Sequence, residues 1–244
     1  MDVLVLLQSL IMGVVEGLTE FLPISSTGHL ILTGQLLGFL DKDKRDVYEI
    51  FIQLGAMLAV CWEFRQKITS VAKGLVKTDP AAQQFVMNLI VAFMPAAVFG
   101  LLFGKQIKQH LFSPVPVALA FIVGGLIILW AERRAKLATT PIHIENIDQI
   151  DTLDALKIGF LQCLAVLFPG MSRSGSTIIG GMFIGFSRKA ATEFSFFLGI
   201  PTLGLASLYS LYKHRSLLSA QDALIFAVGF MASFVVALLV IRVL

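Results

Sequence analysis

The sequence predicts an all-α integral membrane protein: an inverted-topology repeat with two re-entrant broken helical hairpins and about five to six transmembrane helices. Three observations predict it. Of the 244 residues 57% are apolar and only 14% charged, with a mean hydropathy of +0.84, whereas a soluble domain carries roughly 25% charge. Several long stretches lack Asp, Glu, Lys and Arg altogether. Two other apolar stretches are each interrupted near the middle by a polar cluster containing Gly and Pro. A chain this poor in charge could not cover its own surface in water, so soluble, disordered and fibrous classes are excluded. The net charge of +3 is too small to imply a nucleic-acid partner.

Stretches 85–104, 113–131, 194–212 and 223–241 are free of charge over about the 20 residues that a bilayer-spanning helix needs. Stretch 50–62 is shorter, and spans if Glu49 faces protein and Arg65 snorkels. Stretches 3–40 and 158–186 are the interrupted ones. The first break is Pro23-Ile24-Ser25-Ser26-Thr27-Gly28-His29; the second is Pro169-Gly170-Met171-Ser172-Arg173-Ser174-Gly175-Ser176-Thr177. Lipid cannot satisfy free backbone groups, so such breaks must be buried in protein or line a wet cavity. Two breaks in corresponding positions predict a site at the junction of two repeats.

The repeat is visible by alignment. Gly13 to Glu16 and Phe21 to Pro23 match Gly159 to Gln162 and Leu167 to Pro169 at an offset of 146. After one inserted residue, Ser25-Ser26-Thr27-Gly28 matches Ser172-Arg173-Ser174-Gly175. Glu49 to Gly55 then matches Glu193 to Gly199 at an offset of 144. The expected first repeat is 1–132, with a hairpin at 3–40 and spans at 47–64, 85–104 and 113–132. The second is 153–244, with a hairpin at 155–187 and spans at 190–212 and 222–243. A partner for span 113–132 would fall beyond Leu244, so a missing last helix, from truncation, is expected.

Basic residues set the orientation. Arg65, Lys67, Lys73, Lys77, Arg133, Arg134, Lys136, Lys157, Arg188 and Lys189 fall on one side. Lys42, Lys44, Arg45, Lys105, Lys108, Lys213 and Arg215 fall on the other. Ten against seven assigns the first side to the cytoplasm. No basic segment follows Met1-Asp2 before the first apolar run, so no cleaved signal peptide is expected. Cys61 and Cys163 lie far apart in apolar stretches and read as packing residues.

The breaks hold the residues that can do chemistry. Glu16 and Glu20 are four apart, on one face of a helix, and carboxylates in an apolar stretch are functional by default. They are hard oxygen ligands for Mg²⁺ or Ca²⁺, particularly where substrate phosphates complete the shell. Ser25, Ser26 and Thr27 supply hydroxyls, and His29 an imidazole that could act as their base. Taken alone, that cluster is better accounted for by Ser and Thr capping a broken helix beside a hydrogen-bonded His. Arg173 carries a planar fork that matches phosphate oxygens. Around it stand Ser172, Ser174 and Thr177 at the start of a helix, where free N–H groups favour anions; an internal salt bridge to Glu16 or Glu20 is the competing account. Gln53, Gln162 and Glu193 are candidates to support the pocket, and Glu49 and Glu193 read as structural in each half. An intramembrane pocket of this composition suits cleavage of a phosphate anhydride with an apolar tail.

At these residues the sequence resembles the bacterial undecaprenyl-diphosphate phosphatase family, known for bacitracin resistance. The segments that carry the resemblance are Glu16 through His29 and Pro169 through Thr177, and the likeness runs from the N-terminus to about Val243. Members usually continue for one more apolar helix. The resemblance implies hydrolysis of undecaprenyl diphosphate to the monophosphate and inorganic phosphate, recycling the carrier lipid for peptidoglycan synthesis. It implies a divalent-metal requirement and a bacterial inner-membrane protein whose site opens mainly toward the periplasm. Position by position, Glu16 and Glu20 match the family's acidic motif, Ser26 its proposed nucleophile, His29 its essential histidine and Arg173 its phosphate-binding arginine. The pattern leaves open whether Ser26 or His29 attacks phosphorus.

The expected mechanism has Glu16 and Glu20 holding a divalent ion or a water, and Arg173 with Ser172, Ser174 and Thr177 holding the phosphoryl group. Ser26 attacks with His29 as base, and Ser25 and Thr27 join in binding the phosphate. A polyprenyl diphosphate and membrane lipid are the expected partners, with a homodimer left open. The alternative from another class is a lipid-phosphate or anion transporter or flippase built on the same inverted repeat. The other membrane lipid-phosphatase superfamily is disfavoured, because Arg173 is not followed by the His which that superfamily uses as nucleophile.

Overall fold

The computed structural model describes residues 3–111, 114–137, 142–214, 218–219 and 222–244. Met1-Asp2, Ser113 (the expected start of the third span) and Arg215 lie outside the described residues, as do the side chains of Lys108, Arg134 and Lys136. Ten α-helices account for most of the described residues. They are α1 (Val3–Thr19), α2 (Ser26–Leu37), α3 (Lys42–Glu63), α4 (Arg65–Val76), α5 (Pro80–Leu111), α6 (Pro114–Leu137), α7 (Thr152–Leu167), α8 (Arg173–Phe183), α9 (Arg188–His214) and α10 (Ala223–Val243).

Among the described residues, four segments are long and apolar enough to cross a bilayer: Pro80–Ile107, Val115–Arg133, Arg188–His214 and Ala223–Val243. Each contains one of the charge-free runs, apart from the first two residues of the run at 113–131. A fifth is reached only when α3 and α4 are counted together as one broken span. α3 runs past Trp62 to Glu63, one residue short of the expected span at 47–64, and Phe64 separates it from α4. The count among the described residues is therefore four, or five with that pair, against about five to six expected. Both expected breaks are present, between Thr19 and Ser26 and between Leu167 and Arg173.

The chain forms two compact units, Met1–Leu22 with Ser26–Glu63 and Gly199–Leu244, and Pro23–Ser25 with Phe64–Leu198. In the first, α1, α3 and α10 pack closely around Met12, Leu30, Phe39, Val47, Tyr48, Ile52, Ile225 and Phe226. Lipid offers no hydrophobic drive between helices, so small residues and hydrogen bonds hold them. A Cβ on Gly17 would stand 2.7 Å from the Ser233 carbonyl oxygen and 2.8 Å from the Ala237 nitrogen, so α1 meets the α10 backbone directly. Tyr48 of α3 donates to the Ser9 carbonyl at 2.8 Å, and the Ser9 hydroxyl donates to the Ile225 carbonyl at 2.6 Å. Those two side chains tie three helices together.

In the second unit α7 lies against α5. Gln162 donates to the Ala92 carbonyl at 3.3 Å and Asn88 to the Ile150 carbonyl at 2.6 Å. Gln162, a candidate support for the pocket, thus braces two helices. Phe197 of α9 packs tilted against Phe64 and edge-on against Phe85, at centroid separations of 5.1 and 5.2 Å.

Candidate active site

The first break places an acid beside a hydroxyl. Glu16 is wholly buried near the end of α1, and Glu20, 6% exposed, follows in the turn, its N–H bonded to the Glu16 carbonyl at 3.0 Å. The intervening turn residues end at Ser25, whose φ of 63° lies in the left-handed region. That conformation costs an L-residue about 1–2 kcal/mol. It aims the chain so that α2 begins at Ser26. Ser26, buried like its neighbour Ser25, donates its hydroxyl to Glu20 Oε2 at 2.5 Å. Thr27 and His29 occupy the first turn of α2 and are half-buried. The base expected for Ser26 was His29; the carboxylate that receives its hydrogen bond is Glu20.

The donor set here can be tested against a divalent ion. Glu16 and Glu20 bring carboxylate oxygens from successive turns, and no cluster of three or more His, Cys, Asp or Glu that could hold a metal occurs among the described residues. Two carboxylates suit Mg²⁺ or Ca²⁺ only as a partial shell, which phosphate oxygens and waters would complete. The residues fit that form of binding.

The second break lies in the other unit and gathers hydroxyls around an arginine. Phe168 ends α7, Gly170 turns the chain with φ of +104°, and Ser172 caps α8 by accepting the Gly175 N–H at 3.0 Å. Its hydroxyl lies 3.0 Å from that of Ser174. Arg173 donates through Nη1 to the Ser195 carbonyl at 2.9 Å. Thr177 Oγ1 lies 3.0 Å from the Arg173 carbonyl and 2.7 Å from Ser195 Oγ. A hydroxyl has one hydrogen; when Thr177 gives its own to the backbone, Ser195 must donate to Thr177. Ser172, Ser174, Thr177 and Ser195 are all at least nine-tenths buried, and Arg173 is half-buried.

Ser195 was not among the expected site residues. It lies within the repeated stretch 193–199, the only signal that could have pointed to it, and it reaches Arg173 through a backbone carbonyl, which has no sequence signature. Glu49, in the matching stretch, pairs with Arg45 at 3.8 Å within α3, in keeping with a structural role.

A buried acid–hydroxyl pair and an arginine–hydroxyl cluster, each at a helix break in a multi-pass α-helical membrane protein, define a class able to bind anions and activate an alcohol in an apolar setting. Residues 9–244 match the sequence profile of the family described as "Bacitracin resistance protein BacA", and the chain belongs to that family. It is 67% identical over 237 residues to "Undecaprenyl-diphosphatase 1" of Chromobacterium violaceum, an alignment covering 97% of this chain and 86% of that protein. It is 62% identical to "Undecaprenyl-diphosphatase 2" of Rhodospirillum rubrum and 60% identical to "Undecaprenyl-diphosphatase" of Nitrosospira multiformis, each over 99% of this chain and 86% of the relative.

Proposed function

We propose that this chain hydrolyses undecaprenyl diphosphate to undecaprenyl phosphate and inorganic phosphate, recycling the carrier lipid for peptidoglycan synthesis and conferring bacitracin resistance. The observation that carries the reading is the Ser26–Glu20 hydrogen bond, because a hydroxyl attacks phosphorus only when a base stands ready for its proton. Membership of the BacA family and the names of its relatives support the same substrate.

Ser26 Oγ forms a bond to the terminal phosphorus while its proton passes to Glu20. The bridging P–O bond breaks and undecaprenyl phosphate departs. Water then cleaves the phosphoserine: His29 accepts the water's proton, Glu20 returns its proton to Ser26 Oγ as the Oγ–P bond breaks, and inorganic phosphate is released. Arg173, Ser172, Ser174 and Thr177 bind the phosphoryl oxygens and offset charge that develops during transfer. Ser25 and Thr27 flank the nucleophile. A divalent cation, Mg²⁺ or Ca²⁺, would be held by Glu16 and Glu20 and would neutralise phosphate charge.

The helix breaks ahead of Ser26 and Arg173 support re-entrant hairpins in an inverted repeat of 1–132 and 153–244, and the reading extends to a bacterial inner membrane with the site toward the periplasm. The test is phosphate release by purified protein in detergent, given farnesyl diphosphate and Mg²⁺. Release above a Ser26→Ala background is expected. Absence of release, together with movement of lipid phosphate across proteoliposomes, would overturn it in favour of the transporter.

A further inference from the structure

A cavity of about 330 Å³ opens in the second unit between α6 and the chain break that precedes α8. Leu111, Pro116, Leu119 and Val123 form one wall, and Phe168 and Met171 the other. Every side chain lining it among the described residues is apolar. Its volume is at the small end of the roughly 300–1,000 Å³ typical of ligand pockets, enough for part of a long chain and not the whole.

The break itself is pressed onto α6. A Cβ on Gly170 would stand 2.8 Å from the Val117 carbonyl oxygen and 3.1 Å from the Ala120 Cβ, so only glycine, already at φ +104°, permits the approach. That contact makes Phe168 and Met171 part of the cavity wall. The polarity then changes within one residue. Met171 faces the apolar cavity, whereas Ser172 caps α8 and Arg173 begins it. Two residues of chain span at most about 7 Å. An amphiphile whose anionic head lies at Ser172 and Arg173 therefore has its first apolar carbons within reach of Met171 and Phe168.

We propose that this cavity seats the diphosphate-proximal isoprene units of the substrate's tail, and that it sets the preference for a long prenyl chain over a short one. The inference rests on the function proposed above, and on the place where that reading puts the phosphate. Prenyl rather than bulk acyl chain is the assigned occupant because the cavity adjoins the arginine–hydroxyl cluster in sequence and shares its turn. Leu119 and Val123, 57% and 48% exposed, leave a side through which the remaining tail passes into lipid.

The experiment measures kcat/KM for phosphate release from farnesyl diphosphate and from dimethylallyl diphosphate, both allylic, so that only tail length differs. Wild type is expected to favour farnesyl diphosphate. In Val123→Trp, which fills the cavity, that preference should fall about tenfold, on the order of one or two buried methylene groups. Leu119→Ala, which removes wall surface without adding bulk, should lower it about threefold, again by lost apolar contact. Ile122→Trp, on the same helix but outside the cavity, should keep it. An unchanged preference in Val123→Trp, or in Leu119→Ala should the larger substitution fail to fold, would overturn the assignment and leave the cavity to ordinary lipid. Failure of wild type to release phosphate from either substrate would instead strike the proposed function.

Discussion

Ser26 donates its hydroxyl to Glu20 Oε2 across 2.5 Å, between two side chains that are each 6% exposed. Separations of about 2.5–2.7 Å are those of hydroxyl-to-carboxylate bonds, roughly twice as strong as neutral ones. Glu20→Gln keeps the shape and loses the proton acceptor, so kcat should fall by about 10²–10⁴. Ser26→Ala should fall as far, and the double variant no further than either single one, because the pair acts as a unit. Multiplicative losses in that cycle would show that the two act independently.

Ser195 buttresses Arg173 and Thr177 from α9. Ser195→Ala keeps the carbonyl that Arg173 uses and removes the hydroxyl that meets Thr177. The loss of one hydrogen bond, about 0.5–1.5 kcal/mol, should appear as a two- to tenfold rise in KM with kcat little changed. Arg173→Ala should abolish turnover and still yield folded protein. Arg173→Lys should rescue little of it, since an ammonium lacks the planar fork. Steady-state phosphate release with a thermal unfolding control separates these outcomes.

Gly17 stands between Glu16 and Leu18 where α1 meets α10. Gly17→Val would drive two methyl groups into the Ser233 carbonyl and the Val236 side chain. Overpacking of this kind costs about 1–3 kcal/mol. Thermal unfolding in detergent should register the loss, and activity should fall with it. An unchanged midpoint would mean that the two helices separate at no cost.

Asp222, ahead of α10, predicts a pH effect. Burial pushes its carboxyl up, but the Ser219 hydroxyl and N–H and the Lys44 ammonium at 3.2 Å outweigh that and hold it below the usual carboxylate range. A depressed folded-state value gives stability that is complete above the unfolded pKa and is lost as pH falls through the folded one. Wild type should therefore lose more stability than Asp222→Asn as pH falls from about 5 toward 3. Parallel unfolding curves for the two proteins across that range would refute the contribution.

The spanning helices could be read from the sequence because absence of charge over twenty residues has one cheap explanation in a bilayer. The breaks were equally plain, since Pro23, Pro169 and Gly170 interrupt apolar runs beside hydroxyls. Composition did not reveal the 75° bend between α3 and α4, because it turns on the backbone at Phe64 and not on a proline or glycine. The Ser26–Glu20 contact was missed in favour of His29, three residues away on the same helix. The acid approaches through the left-handed turn at Ser25, whose φ no serine announces. Tyr48 and Ser9 likewise read as ordinary helix residues until they meet across α1, α3 and α10.

Gly13 and Gly17 sit one turn apart on α1, each pressed against the backbone of α10, with Glu16 between them. A slide or rotation by a single residue would present Val14 or Leu18 to a surface that has no room for a side chain. The pair acts as a keyway, and the height of Glu16 along α10 is set by atoms that are missing. The position of the Glu16 carboxylate thus has a purely steric dependency more than two hundred residues away. Bulk added at Ser233 or Ala237, positions with no reacting group, would register in an activity screen as damage to the acid.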